Sequence, residues 1–229
     1  MNKISDIDSV ILCGGLGKRL RSEIGEAQKV MAQVKGVPFL DHHLASFKKQ
    51  GIRRVILCTG YKADEVEDYY RQHSHDLAIE FSREDKPLGT GGAVKHARLF
   101  IESDLFLVIN GDSFIEMDLS RLLNYHATKK AQATIVMAKV QDAKDFGTIV
   151  LDEQNRITQF NEKNSASAGY VNAGVYCFSK SVLDVMPAQE NFSLEYNVFP
   201  RLAGGDIFGF PVDCSFIDIG TPQRFKKAQ

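Results

Sequence analysis

The architecture of this chain follows from the stretch Leu12-Cys13-Gly14-Gly15-Leu16-Gly17-Lys18-Arg19-Leu20. It continues the apolar run Val10-Ile11-Leu12, which predicts a buried first strand. Three glycines in four positions allow a sharp turn and bring backbone N–H groups against a ligand. Lys18 and Arg19 follow directly, and Lys29 comes ten residues after the arginine. A glycine-rich turn between a strand and fixed positive charge is typical of a phosphate-binding loop, although such turns are often only turns.

Two common phosphate loops do not match this stretch. A dinucleotide-binding fingerprint that starts at Gly15 requires a glycine at the position of Leu20. It also requires an acidic residue after the second strand, where Thr59-Gly60-Tyr61 stands. A P-loop requires a hydroxyl residue at the position of Arg19 and a glycine at the position of Leu12. Both classes are therefore set aside.

Composition indicates a globular protein without a strong electrostatic bias. The chain has 229 residues, of which 44% are apolar and 25% charged, and its net charge is −1. This balance does not favour binding to nucleic acid or to a membrane surface. The N-terminal residues carry no hydrophobic signal core, and no apolar run is long enough to cross a bilayer.

The four cysteines, Cys13, Cys58, Cys177 and Cys214, each lie in or at the end of a strand-like run. Their spacing matches neither a zinc site nor a disulfide framework, so we expect buried, reduced thiols and a cytoplasmic location. Cys13, beside the glycine turn, is the best candidate for a nucleophile. Strand-end cysteines are more often packing residues.

Apolar runs alternate with helical patterns over the first half of the chain. They predict strands at 10–13, 54–59, 77–82, 105–110 and 133–140, and helices at 39–50, 63–73, 92–101 and 118–130. This alternation indicates an α/β fold, a Rossmann-like α/β/α sandwich around a mainly parallel sheet. Ligands of such sheets bind beyond the carboxyl ends of the strands.

The pattern changes after about residue 145. We expect a hairpin of strands at 148–151 and 156–160, a strand at 170–178, short helices at 181–186 and 194–202, and strands at 207–212 and 215–219. No linker or repeat separates the two halves. We therefore expect a single domain over 1–229, in which the second half extends the same sheet and makes it mixed.

Three further motifs lie where strands are expected to end. Glycines at 89, 91 and 92 open a helix, so their N–H groups could face a ligand, although a flexible loop has the same composition. Asp112 follows the apolar run 105–109, and Asp218 follows a second one. Carboxylates at strand ends bind Mg²⁺ through oxygen, so these two are candidate ligands of one metal ion. An aspartate after glycine is more often a turn residue.

Taken together, the motifs resemble those of the sugar-nucleotide pyrophosphorylases, nucleotidyltransferases with a glycosyltransferase-A-like fold. The resemblance covers essentially the whole chain. It rests on six motifs in the family's order: Gly14-Gly15-Leu16-Gly17-Lys18-Arg19-Leu20 with Lys29, Leu88-Gly89-Thr90-Gly91-Gly92-Ala93, Asn110-Gly111-Asp112, Glu162-Lys163, Asn172-Ala173-Gly174 and Asp218-Ile219-Gly220-Thr221-Pro222. Gln28 departs from the pattern, because a proline usually precedes the lysine, and Arg21-Ser22-Glu23 replaces the usual x-Pro-Leu-Thr segment.

The resemblance implies that a sugar 1-phosphate attacks the α-phosphorus of a nucleoside triphosphate and that pyrophosphate leaves. Both reactants are polyanions, so cations must neutralise them. Arg19 and Lys29 are the implied catalytic residues, and Asp112 and Asp218 the implied Mg²⁺ ligands. The implied nucleotide-binding residues, in the half 1–145, are Leu12, Gly14, Gly15, Gly17, Glu84, Gly89 and Thr90. The implied sugar-phosphate-binding residues, in the half 146–229, are Gly147, Glu162, Lys163, Asn172 and Glu195.

Glu84 lies five residues before Gly89, where the family places its base-reading residue. A carboxylate accepts two N–H bonds, and guanine offers N1–H and N2–H side by side, which favours GTP. Uracil and thymine offer one N–H, which a glutamine would serve as well. The short chain and the loop 87–93 resemble bacterial guanylyltransferases that activate D-glycero-α-D-manno-heptose 1-phosphate. Mannose 1-phosphate, a muramic-type sugar and uridylyl transfer remain alternatives, and Phe146-Gly147 departs from the more usual Tyr-Gly.

Two other classes stay open. A glycosyltransferase of related fold would require Asp-x-Asp after the strand at 105–110, where Asn110-Gly111-Asp112 stands. A non-catalytic regulatory subunit would be expected to lack Arg19, Lys29 or an aspartate, and all are present. The expected partners are thus a nucleoside triphosphate and a sugar 1-phosphate. The sugar, the downstream glycan and a homodimer are left open.

Overall fold

A computed structural model describes residues 3–73, 76–140, 148–161 and 169–229. Its strands, numbered along the chain, are β1 (Asp8–Leu12), β2 (Gln33–Val34), β3 (Val37–Pro38), β4 (Arg54–Thr59), β5 (Ala78–Arg83), β6 (Leu105–Asn110), β7 (Ser113–Ile115), β8 (Ala133–Val140), β9 (Thr148–Leu151), β10 (Ile157–Asn161), β11 (Gly169–Ser179), β12 (Ile207–Val212) and β13 (Phe216–Asp218). Its α-helices are α1 (Arg21–Ile24), α2 (Phe39–Gln50), α3 (Ala63–Gln72), α4 (Gly89–His96), α5 (Leu119–Lys129), α6 (Phe199–Leu202) and α7 (Pro222–Ala228).

A nine-stranded sheet forms the centre of the described part of the chain. One path across it runs β10-β9-β11-β6-β1-β4-β5, while β8 also pairs with β11 and carries β12 on its other side. Strands β6, β1, β4 and β5 are parallel to one another, and so are β8 and β12. Strand β11 runs antiparallel to both β6 and β8. The sheet is mixed and mainly parallel, as predicted, and the α/β fold class is confirmed.

Both faces of this sheet are covered, and β6 shows how. Leu107 and Ile109 pack on one face against a cluster that includes residues of α2, α3 and α5. Phe106 and Val108 pack on the other face with residues of α4 and of the segment 182–202. Successive side chains of a strand point to opposite faces, so a strand covered on both sides reads as a continuous apolar run.

Local signals fix the ends of the helices. Pro38 precedes α2, and Gly51, at φ +89°, closes it by donating its N–H to the carbonyls of Phe47 and Lys48. The side chain of Asp118 caps α5 by accepting the N–H of Ser120 at 2.9 Å. Caps of this kind leave sequence signatures, which explains why both helices lie within a residue of their predicted positions.

Four expectations are corrected by the structure. The strand expected at 215–219 does not extend the central sheet: β13 pairs antiparallel with β7, a short strand that the sequence pattern did not predict. Helix α4 begins at Gly89 instead of residue 92. The helix expected at 181–186 is a 3-10 helix (Lys180–Asp184), and the one at 194–202 starts as a π-helical turn (Leu194–Val198). Among the described residues, no helix has the length and apolar character needed to span a membrane.

Candidate active site

A pocket of about 350 Å³ opens where β1 and β6 end. Carboxyl ends of parallel strands meet at one edge of a sheet, where loop groups are available to a ligand. All the residues expected to bind the nucleotide line this pocket: Leu12, Gly14, Gly15, Gly17, Glu84, Gly89 and Thr90. Lys29 and Asp112 line it too. The structure therefore brings the expected nucleotide residues together with one expected catalytic cation and one expected metal ligand.

The short sheet of β7 and β13 places the two aspartates side by side. Asp218 is the register partner of Ser113, the residue after Asp112. The N–H of Ile219 donates to the backbone carbonyl of Asp112 at 2.9 Å. Carboxylates distant in sequence thus meet at one rim, as the sequence predicted. The ammonium of Lys29 donates to the carboxylate of Asp112 in an ion pair, so a cation lies at the same rim.

Asp218 is held in a mixed electrostatic environment. Burial raises the pKa of its carboxyl, and the nearby negative charge of Asp112 raises it further. The N–H of Gly220, the guanidinium of Arg224 and Lys29 act in the opposite direction. Arg224 lies on α7 and forms an ion pair with Asp218 at 2.8 Å. No motif in the sequence pointed to Arg224, because its proximity to Asp218 depends on the turn that leads from β13 into α7.

Arg19 reaches the same rim from the glycine loop. Its Nη2 atom lies 3.6 Å from the position that a Cβ atom would take on Gly220. Gly17, at φ +57°, forms the bend before it, and a Cβ there would lie 3.3 Å from the Cβ of Lys29. The left-handed bend and the close approach of the lysine both suit glycine. Arg19, Lys29, Asp112 and Asp218 therefore form one charged cluster beside the pocket.

The cluster fits a hard divalent cation. Mg²⁺ prefers oxygen ligands and commonly uses one or two carboxylates, with phosphate oxygens and water completing its coordination. Asp112 and Asp218 supply two such carboxylates, and the pKa of Asp218, raised in part by Asp112, reflects like charges that a cation would neutralise. Within the described ranges, no group of three or more His, Cys, Asp or Glu side chains comes together. Two carboxylates would leave coordination positions of such a cation for phosphate oxygens or water.

Glu84 also lines the pocket and lies in a narrow space. Cβ atoms on Gly14 and Gly60 would lie 2.7 Å and 2.6 Å from its Oε1 atom, so neither position accepts a larger residue without movement. Its Oε2 atom accepts the N–H of Leu88 at 3.1 Å. Burial raises the pKa of the Glu84 carboxyl. The carboxylate is held by backbone on two sides, which fixes the direction in which it can accept further bonds.

The start of α4 does not offer free N–H groups in the way expected. The N–H groups of Gly91 and Gly92 both donate to the carbonyl of Phe192, at 3.0 Å and 3.1 Å. A Cβ on Gly91 would lie 2.4 Å from the Phe192 ring. These glycines therefore allow the segment around Phe192 to pack closely against the start of α4.

Thr90 connects the pocket to the residues expected to bind the sugar phosphate. Its hydroxyl donates to Glu195 Oε2 at 2.7 Å. Tyr176, which is fully buried, donates to Glu195 Oε1 at 3.5 Å and accepts from Asn172 at 2.9 Å. Asn172 and Glu195 thus belong to one network, whose central member, Tyr176, reads in sequence as an ordinary strand residue. Gly147, Glu162 and Lys163 lie outside the described residues.

The cysteines offer no activated nucleophile among the buried thiols. Cys13 lines the pocket, but burial raises its pKa well above the usual value, so the neutral thiol is favoured. Burial likewise raises the pKa of Cys58 to about 12. All four cysteines are described and unpaired, and Cys214 is exposed, which corrects the expectation that every thiol is buried.

Comparison of the sequence with models of known protein families identifies the family of this chain. A family model described as Nucleotidyl transferase matches residues 8–229. The chain belongs to the nucleotidyl transferase family, and it is an enzyme of that class.

Its relatives include guanylyltransferases. The D-glycero-alpha-D-manno-heptose 1-phosphate guanylyltransferase of Aneurinibacillus thermoaerophilus is 37% identical over 224 residues, 97% of either chain. The mannose-1-phosphate guanylyltransferase of Mycobacterium tuberculosis is 39% identical over 225 residues, which are 96% of this chain but 62% of that protein. The crystal structure of HddC from Yersinia pseudotuberculosis complexed with GMP-PN matches with a TM-score of 0.87 and 34% identity, covering 97% of both chains.

Proposed function

We propose that this protein transfers GMP from GTP to D-glycero-α-D-manno-heptose 1-phosphate, releasing pyrophosphate and giving a GDP-sugar. The observation that carries the proposal is the pocket itself, whose lining includes Glu84 together with Lys29 and Asp112. A nucleotide site requires a group that recognises the base and cations that bind the phosphates, and Glu84 and Lys29 are the candidates for these two roles. The relative from Aneurinibacillus, similar over almost its whole length, supports the choice of acceptor.

The chemistry needs no protein nucleophile. The acceptor phosphate is already ionised, so it can attack the α-phosphorus directly once the repulsion between the two polyanions is neutralised. Lys29 and Arg19 would grip the triphosphate and stabilise the charge that develops as pyrophosphate leaves. Lys29 forms an ion pair with Asp112. We infer that the triphosphate takes over this ammonium when it binds.

Asp112 and Asp218 are the proposed ligands of Mg²⁺. When bound there, the ion would supply positive charge that neutralises the phosphate groups of the two substrates. Residues of the chain orient the Asp218 carboxylate. Arg224 forms an ion pair with one of its oxygens at 2.8 Å, and the N–H of Gly220 donates a hydrogen bond to the other.

Guanine is the base that Glu84 suits best. One oxygen of this carboxylate is occupied by Leu88, and the other lies between Gly14 and Gly60 with acceptor capacity to spare. A carboxylate presents acceptors to the adjacent N1–H and N2–H donors of guanine. The same group would face carbonyl oxygens beside the single N–H of uracil or thymine, and the acceptor N1 beside the amino group of adenine, and these acceptors repel it.

Mannose 1-phosphate is the second candidate acceptor. The relative from Mycobacterium tuberculosis has the higher identity, 39%, although the alignment spans 62% of its length. We also propose that the chain acts as one domain, with a nucleotide-binding half (1–145) and a sugar-phosphate-binding half (146–229) that contains Gly147, Glu162, Lys163, Asn172 and Glu195. The unpaired state of all four cysteines supports a reducing, cytoplasmic setting.

Pyrophosphate release tests the proposal. The protein is incubated with Mg²⁺, one of GTP, ATP, UTP or TTP, and either the heptose 1-phosphate, mannose 1-phosphate or an N-acetylmuramic-type 1-phosphate. Release with GTP and the heptose phosphate, at a kcat/KM at least about tenfold above the other pairs, is the expected result. Preference for mannose 1-phosphate would select the second candidate, and release only with UTP would refute the role given to Glu84.

A further inference from the structure

Gln28 precedes the lysine of the phosphate clamp and is almost fully buried, with 1% of its surface exposed. A buried amide needs partners for both its oxygen and its nitrogen, because an unpaired polar group away from water is costly. The two ends of this amide contact two different segments of the active site.

The oxygen end holds the turn that carries Lys29. Gln28 Oε1 accepts the N–H of Val30 at 2.6 Å, which caps the 3-10 turn from Lys29 to Met31. The backbone N–H of Gln28 donates to Glu65 Oε2 at 3.2 Å, so the turn is also attached to α3.

The nitrogen end holds the glycine loop. Gln28 Nε2 donates to the carbonyl of Cys13 and lies 3.5 Å from the carbonyl of Gly15. Glycine allows more backbone conformations than other residues, so the contact with the carbonyl of Gly15 restricts the loop. One amide thus joins the loop that faces the phosphates to the turn that bears the clamp.

We propose that Gln28 is a positioning residue for nucleotidyl transfer, which holds the glycine loop and Lys29 in the mutual arrangement that binds a triphosphate. The inference rests on the proposed function. The backbone of Gln28 supports the same conclusion. Its φ is −66°, a value that proline also adopts, but proline has no side-chain amide to form the hydrogen bonds with Val30 and Cys13. The side chain therefore supplies by hydrogen bonds a constraint that backbone geometry alone does not give.

The test compares Gln28→Met with a matched change elsewhere. Methionine keeps the length of the side chain and removes both bonds. Gln50 is the control, because its Oε1 accepts the N–H of Leu119 at 2.8 Å and its Nε2 donates to Ser46 at 3.1 Å, outside the pocket. Three quantities are measured: the Kd for GTP without acceptor, kcat/KM for each substrate, and the midpoint of thermal unfolding. Gln28→Asn, one methylene shorter, serves as the milder variant if Gln28→Met does not fold.

We expect Gln28→Met to raise the Kd for GTP about tenfold and to lower kcat/KM for GTP by about 10- to 100-fold, with the KM for the sugar 1-phosphate within about threefold of wild type. Gln50→Met should lower the unfolding midpoint comparably and leave both kinetic constants within that range. In a Lys29→Ala background the effect of Gln28→Met should shrink at least several-fold, since the two residues act together.

The proposal is overturned by a Gln28→Met or Gln28→Asn protein with wild-type affinity for GTP, by equal kinetic losses in Gln50→Met, or by full additivity with Lys29→Ala. If wild type binds GTP but transfers GMP to no sugar phosphate, the proposed function fails, while a tenfold loss of GTP affinity in Gln28→Met still supports the positioning role. A wild type that does not bind GTP overturns both.

Discussion

Replacing Glu84 with glutamine removes a negative charge from the nucleotide pocket and preserves its shape. In the wild-type protein Oε2 accepts the N–H of Leu88 at 3.1 Å. The carbonyl oxygen of the glutamine takes over this position, because a donor requires an acceptor. The amide nitrogen then occupies the space between Gly14 and Gly60, and it presents donors to the N1–H and N2–H of guanine. Donors facing donors cannot form the proposed contact.

The expected loss follows from the bonds removed. A hydrogen bond to a charged group contributes about 1.5–3 kcal/mol, and each 1.4 kcal/mol corresponds to a factor of ten. The value of kcat/KM for GTP should therefore fall by about 10- to 150-fold in Glu84→Gln. The value for UTP should fall much less or rise, because an amide can pair with the one N–H and adjacent carbonyl of uracil.

Pyrophosphate release at saturating sugar 1-phosphate, with GTP and UTP as separate substrates, measures this ratio. Asp85→Asn is the control, because it removes the same charge from the next residue, which is exposed and does not line the nucleotide pocket. A GTP-to-UTP ratio unchanged in Glu84→Gln, or reduced equally in Asp85→Asn, would show that Glu84 does not read the base.

Three further perturbations probe the same site. Burial raises the pKa of Glu84, so this carboxylate should become protonated at a higher pH than an exposed glutamate. The value of kcat/KM for GTP should therefore fall as the pH drops through that raised pKa. The pH profile of Glu84→Gln should lack this decrease. Lys29→Met should lower kcat by about 10²-fold or more, because the charge that develops on the leaving pyrophosphate loses a fixed cation, and steady-state rates with Lys18→Met as a comparison measure this. Asp218→Asn should raise the Mg²⁺ concentration for half-maximal rate about tenfold or more, since it leaves one carboxylate for the ion, and a metal titration that matches wild type would contradict the ligand assignment.

Most of the fold could be predicted from local sequence because its signals are local. The helix at Phe39–Gln50 and the strands at Arg54–Thr59 and Leu105–Asn110 lie where the apolar period and the flanking proline and glycine place them. The pairing of β7 with β13 could not be predicted in this way. Strand β7 is three residues long, too short to show a period, and its pairing with β13 joins residues about a hundred positions apart.

The site divides along the same line. Asp112 and Asp218 could be identified because each follows an apolar run, although the antiparallel pairing of β13 with β7, and not the edge of the central sheet, brings Asp218 to Asp112. Gln28 read only as a departure from a motif, and Arg224 carried no motif, since their contacts depend on turns outside the sheet. The N–H group of Gly91 was expected to face a ligand, but it donates a hydrogen bond to the carbonyl of Phe192, which is remote in sequence. The partners of these groups are residues distant in sequence, so the local sequence pattern does not predict them.

The pairing of β7 with β13 also bears on when activity can arise during biosynthesis. Asp112 leaves the ribosome long before Asp218, and the two carboxylates become neighbours only after β13 has docked onto β7. A chain that ends before β13 carries the glycine loop, Lys29 and Glu84 but lacks one of the two proposed metal ligands. The proposed metal site is therefore completed only when the last strand pairs with β7.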